Sequence, residues 1–223
     1  MKTSTSLRVL TLALASACMI PATGCSSAAI ATKEAFGYAK REQLVTAVTK
    51  AQTDQQEAKV QFESALEEFL AVTKAEPDDL ERAYRTLKKE LDRSETKAAD
   101  VRSRIADIER VANALFKEWK AELSKYTNAD LRKASETQLT QTQDKYHRLL
   151  AVMKQAEASM DPPLAVFRDQ VLFLKHNLNA RAISSLQSTF GQLQTDVSTL
   201  VAEMERSIAE AETFIRGMEN EGK

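Results

Sequence analysis

Apolar side chains recur at alternating spacings of four and three residues, and this pattern constrains the fold more than any other feature. Over residues 44–72 the spacing is kept with Gln55 as the one polar break, and over residues 80–119 with Ser94 as the one polar break. Such spacing places the apolar side chains on one stripe of a helix that packs, knobs into holes, against other helices. We therefore predict an all-α fold: an elongated, antiparallel, coiled-coil-like bundle of three to four long helices.

The composition supports long helices and argues against nucleic acid as a partner. The chain has 223 residues but only 5 glycines and 4 prolines, too few turn residues for a fold rich in strands and loops. Its 31 Lys and Arg are balanced by 32 Asp and Glu, so the molecule has no net positive field that would attract a polyanion. We expect no nucleic-acid partner.

Proline and polar capping residues divide the chain into helices. Pro77 ends the first helix, and Asp78 is predicted to cap the second. A less distinct break follows, where Thr127 is a candidate cap, and Asp161 with Pro162 is predicted to end the third helix and start the fourth. A run of spacings of four near residues 174–190 predicts a straighter or bent stretch in the fourth helix. The predicted helices span about 34–75, 79–125, 129–160 and 162–218, and the short third helix predicts a bundle four helices thick at one end and three at the other.

The first residues have the features of an export signal. Residues 1–24 contain Lys2 and Arg8, no acid, and an apolar run that is too short to span a membrane. The run ends in small residues before Cys25, which resembles a lipoprotein processing site, so we predict a signal peptide (1–24), a lipidated tether (25–33) and a helical bundle domain (34–220). There are two alternatives: lipoprotein processing at Cys18, and ordinary signal-peptide cleavage near residues 29–31 without a lipid.

A lipid on Cys25 would determine where the protein resides. By resemblance to Gram-negative lipoproteins, Ser26 in the next position favours an outer-membrane lipoprotein facing the periplasm. The membrane would then be one partner, through the N-terminal lipid. Since Cys18 and Cys25 are the chain's two cysteines, the body of the protein has to fold without a disulfide.

A second stripe on the predicted fourth helix is the candidate interaction face. It lies opposite the core stripe of that helix and contains both apolar and polar side chains: Asp169, Leu172, Phe173, His176, Ala180 and Ile183. A helix that is apolar on two faces is expected to be covered on both. One interpretation places this helix in the centre of the bundle, and the other makes the stripe a docking face for a second copy or for another envelope protein.

The residues for catalysis or metal binding are not in a recognisable arrangement. His147 and His176 are the two histidines and lack the spacing of metal ligands. There is no glycine-rich phosphate loop and no nucleophile elbow, and the acids fall on charged helix faces. We expect no enzyme, no cofactor, no metal and no small-molecule substrate.

Several stretches together resemble one bacterial family. They are residues 36–42 (FGYAKRE), 114–119 (ALFKEW), 161–164 (DPPL) and 167–183 (FRDQVLFLKHNLNARAI). They are similar to an uncharacterised family of exported proteins and lipoproteins, the domain of unknown function 2959, over nearly all of the predicted mature chain. The resemblance implies no activity, ligand or catalytic residue.

Two functions follow as hypotheses. The first is a non-enzymatic helical scaffold or protein-interaction module of the cell envelope, a homo-oligomer or bound to an envelope protein. The second is a membrane-binding or membrane-remodelling module that resembles curved three-helix bundles, which would need a concave basic face.

Overall fold

The computed structural model describes residues 40–220, and every element in that range is helical. A single 3₁₀ turn, Pro77–Asp79, precedes the second helix. The five α-helices are α1 (Lys40–Val72), α2 (Leu80–Leu123), α3 (Ala129–Ala158), α4 (Asp161–His176) and α5 (Ala180–Asn220). At about 1.5 Å per residue, the 44 residues of α2 span roughly 66 Å, so the molecule is a rod. The predicted all-α bundle is confirmed.

Ion pairs between helices define the antiparallel order. Lys97 of α2 pairs with Glu57 of α1, and Arg104 pairs with Asp54, so residue numbers rise in one helix as they fall in the other. The same relation holds between α5 and α1, where the amide of Gln52 donates to the carbonyl of Ile208 and Lys59 pairs with Glu205. The chain therefore runs up and down the bundle, as short connections between long helices favour.

Helices α3 and α4 form one continuous rod, which corrects the predicted turn at Asp161–Pro162. Arg102 of α2 reaches both sides of the junction, with its guanidinium 3.8 Å from Glu157 and 2.6 Å from Asp161. Proline lacks an N–H and clashes with the carbonyl four residues earlier, which ends α3, but it fits the first turn of the next helix. The prolines therefore interrupt the helix without reversing the chain.

The reversal lies instead at Asn177–Asn179, so the predicted continuous helix 162–218 is wrong. The Asn177 side chain donates to the carbonyl of Phe173, closing the end of α4, and the Asn179 side chain accepts from the amide of Arg181, opening α5. Leu178, which falls on the run of spacings of four and was therefore expected on the core stripe of the predicted fourth helix, is 49% exposed at the turn. The expectation of four helices at one end and three at the other is also wrong, because α3 and α4 together run the length of the rod.

Two predicted caps move by one residue. Asp79 rather than Asp78 precedes α2, and no side chain caps that helix, because the 3₁₀ turn leads directly into it. At α3 the cap is Asn128 rather than Thr127, with its side-chain oxygen Oδ1 accepting from the backbone amides of Asp130 and Leu131. An Asn at this position satisfies two amide groups that the helix cannot satisfy itself.

The heptad stripes meet in a continuous core. Phe69 and Phe167 pack edge to face, with ring centroids 5.7 Å apart, near the end of the rod where α1 stops. The two polar breaks in the stripes, Gln55 and Ser94, are fully buried. The hydroxyl of Ser207 donates to Oε1 of Gln55 at 3.0 Å.

Candidate interaction face

The outer face of α4 consists of four side chains on the side of the helix away from the core: Asp169, Leu172 and His176, which are exposed, and Phe173, which is half-buried. The opposite side of the same helix is buried in the core through Leu164, Phe167, Val171 and Leu174. Because a helix repeats every 3.6 residues, positions 169, 172, 173 and 176 fall on one stripe. The structure therefore brings together four of the six residues that the sequence proposes.

Exposure distinguishes between the two interpretations of this stripe. Leu172 is 60% exposed, Asp169 and His176 are exposed, and Phe173 is half-buried against the core. Within residues 40–220 no further helix covers the stripe, so the interpretation that placed it in the centre of the bundle is wrong. The stripe therefore presents an exposed aliphatic side chain, Leu172, next to the half-buried Phe173.

The remaining two residues lie across the turn. Ala180 is the first residue of α5, and Ile183 is half-buried against the core one turn later. They belong to a different helix from the outer face of α4, because the chain reverses at Asn177–Asn179. Leu178, 49% exposed, and the half-buried Ile183 are apolar residues at this end of the rod.

Polar contacts join α4 to the neighbouring helices, in addition to its buried apolar side. The guanidinium of Arg168 lies 2.5 Å from Glu95 of α2. On the other side, the amide of Gln170 donates to the hydroxyl of Thr189, and the hydroxyl of Ser185 donates to Oε1 of Gln170. Sequence reasoning did not identify Gln170, because its role depends on the reversal that places α5 beside α4.

A second exposed region, the tip, consists of residues 119–138 at the opposite end of the rod. Lys40 forms an ion pair with Glu118, and Arg41 donates to the carbonyl of Met218, so α1 begins and α5 ends at this level. Of the described helices, α2 and α3 alone continue past it. The indole of Trp119 donates to the hydroxyl of Ser135 at 2.8 Å and ties the two together.

The tip presents two apolar side chains to solvent that the sequence pattern did not single out. Tyr126 is 42% exposed and Leu131 is 58% exposed. Basic and acidic residues surround them in nearly equal number: Lys120, Lys125, Arg132 and Lys133 against Glu122, Asp130 and Glu136. One feature of the sequence did indicate an exposed tip: the apolar heptad spacing does not continue between residues 126 and 138.

A groove between α1 and α2 contains several cations, but acids neutralise most of them. Its walls include Lys88, which lies 2.6 Å from Asp92, and Lys97, which lies 2.6 Å from Glu57. The pKa values of both lysines are raised above the ordinary value, chiefly by these hydrogen bonds to carboxylates. Paired charges of this kind give the groove no strong field for an anion.

Neither a metal cluster nor a membrane span is found in the part of the chain that the structure describes. Between residues 40 and 220, no three His, Cys, Asp or Glu side chains are grouped as metal ligands would be. None of the five helices combines the length and hydropathy needed to cross a bilayer. The predicted signal peptide, the tether and Cys25 lie outside the described residues.

Comparison with known proteins places the chain in a family. A family model described as "protein of unknown function (DUF2959)" matches residues 30–218. No curated protein matches the chain, and no solved structure does. The match covers most of the sequence, including every helix that forms the bundle. The chain therefore belongs to the DUF2959 family, as the similarity of its sequence stretches indicated.

Proposed function

We propose that this protein is a non-enzymatic helical scaffold of the cell envelope, tethered by a lipid on Cys25, that docks another protein through the outer face of α4. One observation carries the proposal. A helix packed into the core on its opposite side presents Leu172, 60% exposed, at the end of the rod opposite to the start of α1. The tethered end and the docking face are thus separated by the length of the bundle.

The attachment of α4 to its neighbours supports a docking role. Docking surfaces that are already ordered lose less conformational entropy when a partner binds. Arg168 and Gln170 fix α4 to the neighbouring helices through their contacts with Glu95, Thr189 and Ser185, so the outer face does not have to form during binding. Apolar side chains on such a preformed face can contribute directly to affinity.

Site-specific photo-crosslinking in intact cells tests the docking face. A photoreactive amino acid is placed at Leu172 and, as a matched control, at Val60, an aliphatic residue that is 54% exposed in α1. We expect discrete crosslinked products from position 172 and none from position 60. Equal products from both positions, or none from position 172 in a normally expressed protein, would contradict the proposal.

The lipid tether is tested separately. Metabolic labelling with a fatty acid is expected to label the parent chain and a Cys18→Ser variant, but not a Cys25→Ser variant. Label that depends on Cys18 instead, or no label in any chain, would contradict lipidation at Cys25. The two experiments are independent, so one part of the proposal can fail without the other.

Membrane binding by the tip is the second candidate function, and the exposure of Tyr126 and Leu131 at the end where α1 begins favours it. Tyrosine and lysine are well suited to the headgroup region of a bilayer. Vesicles that contain brominated lipids test this, because they quench a nearby tryptophan. In a Trp119→Phe, Tyr126→Trp chain the tryptophan emission is expected to fall in such vesicles; unchanged emission would exclude contact between the tip and the bilayer.

A further inference from the structure

We infer that the outer face of α4 takes a second copy of this chain, with the two α4 helices packed antiparallel about a twofold axis. The inference rests on the proposed function and deepens it, since it specifies the partner. It follows from the order of the residues on the face, which matches itself when the helix is reversed.

When the helix is reversed about the centre of the face, apolar residues fall opposite apolar residues and polar residues fall opposite polar residues. An axis between Leu172 and Phe173 sets each of these residues opposite the other in the second copy. The same axis sets Asp169 opposite His176, because both lie equally far from the centre along the helix. A twofold interface requires this property: where one residue contacts another, the reverse contact is also made.

The polar residues favour the antiparallel arrangement over the parallel one. In the antiparallel pair, each carboxylate of Asp169 meets an imidazole of His176 that can donate a hydrogen bond to it. In a parallel pair the two Asp169 carboxylates would face each other, and like charges in direct opposition destabilise an interface. Both side chains are exposed in the single chain, so they are available for these contacts.

The size of the face predicts a weak pair that the membrane strengthens. Helix α4 has 16 residues, about 24 Å, and a contact between two such helices is smaller than the roughly 1,000 Å² of a stable independent interface. Two chains anchored in one membrane meet at a much higher effective concentration than in dilute solution. We therefore expect pairing in the lipid-anchored protein.

Disulfide trapping in vesicles tests the arrangement with the lipidated full chain. Three variants are compared under mild oxidation: Asp169→Cys, His176→Cys and the two combined, with Val60→Cys as the control for random collision. A disulfide needs the two Cα atoms within about 7 Å, whereas positions 169 and 176 of one helix are about 10 Å apart, so the combined variant cannot close on itself. Its sulfurs can pair with those of a second copy.

If the pair is antiparallel, the combined variant should form a covalent dimer. Either single variant should form little more dimer than the Val60→Cys control. Adding Leu172→Asp to the combined variant should abolish the dimer. A dimer from Asp169→Cys alone would indicate parallel pairing and overturn the inference. No dimer from any variant would also overturn it. If position 172 nevertheless crosslinks to a different protein in cells, the proposed docking function stands and only the identity of the partner is wrong.

Discussion

Replacing Gln55 with methionine is expected to stabilise the bundle. Gln55 is fully buried, and its amide nitrogen Nε2 has no hydrogen-bond partner among the described residues. A buried donor without a partner costs about 1–3 kcal/mol, whereas a neutral hydrogen bond such as the one from Ser207 contributes about 0.5–1.5 kcal/mol. Methionine has a similar shape and no amide, so the substitution removes the cost of the buried donor and loses only the smaller contribution of the hydrogen bond.

The expected net gain is about 1 kcal/mol in the free energy of unfolding. The hydroxyl of Ser207 would lose its acceptor, but a serine within a helix can turn to a carbonyl of the preceding turn. For a domain of this size, about 1 kcal/mol raises Tm by about 2–4 °C. Circular dichroism during thermal and urea unfolding measures both quantities.

A matched control separates burial from a general effect of methionine. Gln56, the next residue, is exposed, so Gln56→Met is expected to change stability by less than about 0.5 kcal/mol. A fall in Tm for Gln55→Met, with Gln56→Met unchanged, would refute the reasoning, because it would mean that the native amide is fully satisfied. Equal gains from both variants would refute it as well.

Two further predictions concern pH and the position of the chain reversal. Burial, followed by the charge of Glu109, raises the pKa of Tyr146 to about 12. Because this folded-state pKa lies above the ordinary value near 10, the neutral phenol contributes fully to the free energy of unfolding below about pH 10. That contribution is lost as the pH rises towards 12. Over this range the free energy of unfolding should fall by about 2–3 kcal/mol more than it does in Tyr146→Phe, and an equal fall in both would contradict the prediction. Inserting two glycines after Leu178 should lower Tm little, because Leu178 lies in the turn where the chain reverses. The same insertion after Ser159, within the continuous rod, should unfold the bundle by rotating α4 out of register with its neighbours. Equal effects on Tm would contradict the position assigned to the turn.

The heptad pattern was sufficient to predict the rods because burial requires it. Each apolar position from Leu44 to Val72 has to face a neighbour, and a helix is the local structure that aligns those positions. The two polar breaks, Gln55 and Ser94, were visible as exceptions, and in the described bundle their side chains contain the buried polar atoms without partners. A local pattern thus identified both the core and its defects.

The topology could not be read in the same way, because two local signals competed. Pro162 and Pro163 are strong helix breakers, but a break does not specify a change of direction, and α4 continues along the line of α3. Asn177 and Asn179 are weaker signals, yet each caps a helix end through its side chain. The uniform spacing of four across this region marked the turn, although on its own it suggested only a bend.

The candidate face was predicted in part for the same reason. Four of the six residues lie within α4, so their helical spacing does not depend on the direction of the chain after this helix: Asp169, Leu172, Phe173 and His176. Ile183 lies beyond the turn, and helical periodicity does not extend across a reversal. Exposure of the face depends on which helices surround α4, and that is a property of the topology rather than of the local sequence.

The proposed antiparallel pair and the proposed tether would together restrict how the rods lie on a membrane. Along α3 and α4, Leu172 lies about 65 Å from the tip at about 1.5 Å per residue, so the two tips of an antiparallel pair are about 130 Å apart. Cys25 is fifteen residues before Lys40, and an extended segment of that length spans at most about 50 Å. Two lipids in one bilayer can anchor such a pair only if the rods lie along the membrane, with a tip at each end. Upright rods would require parallel pairing, which places the two Asp169 carboxylates face to face. The negative charge of Asp169 therefore favours rods that lie along the membrane.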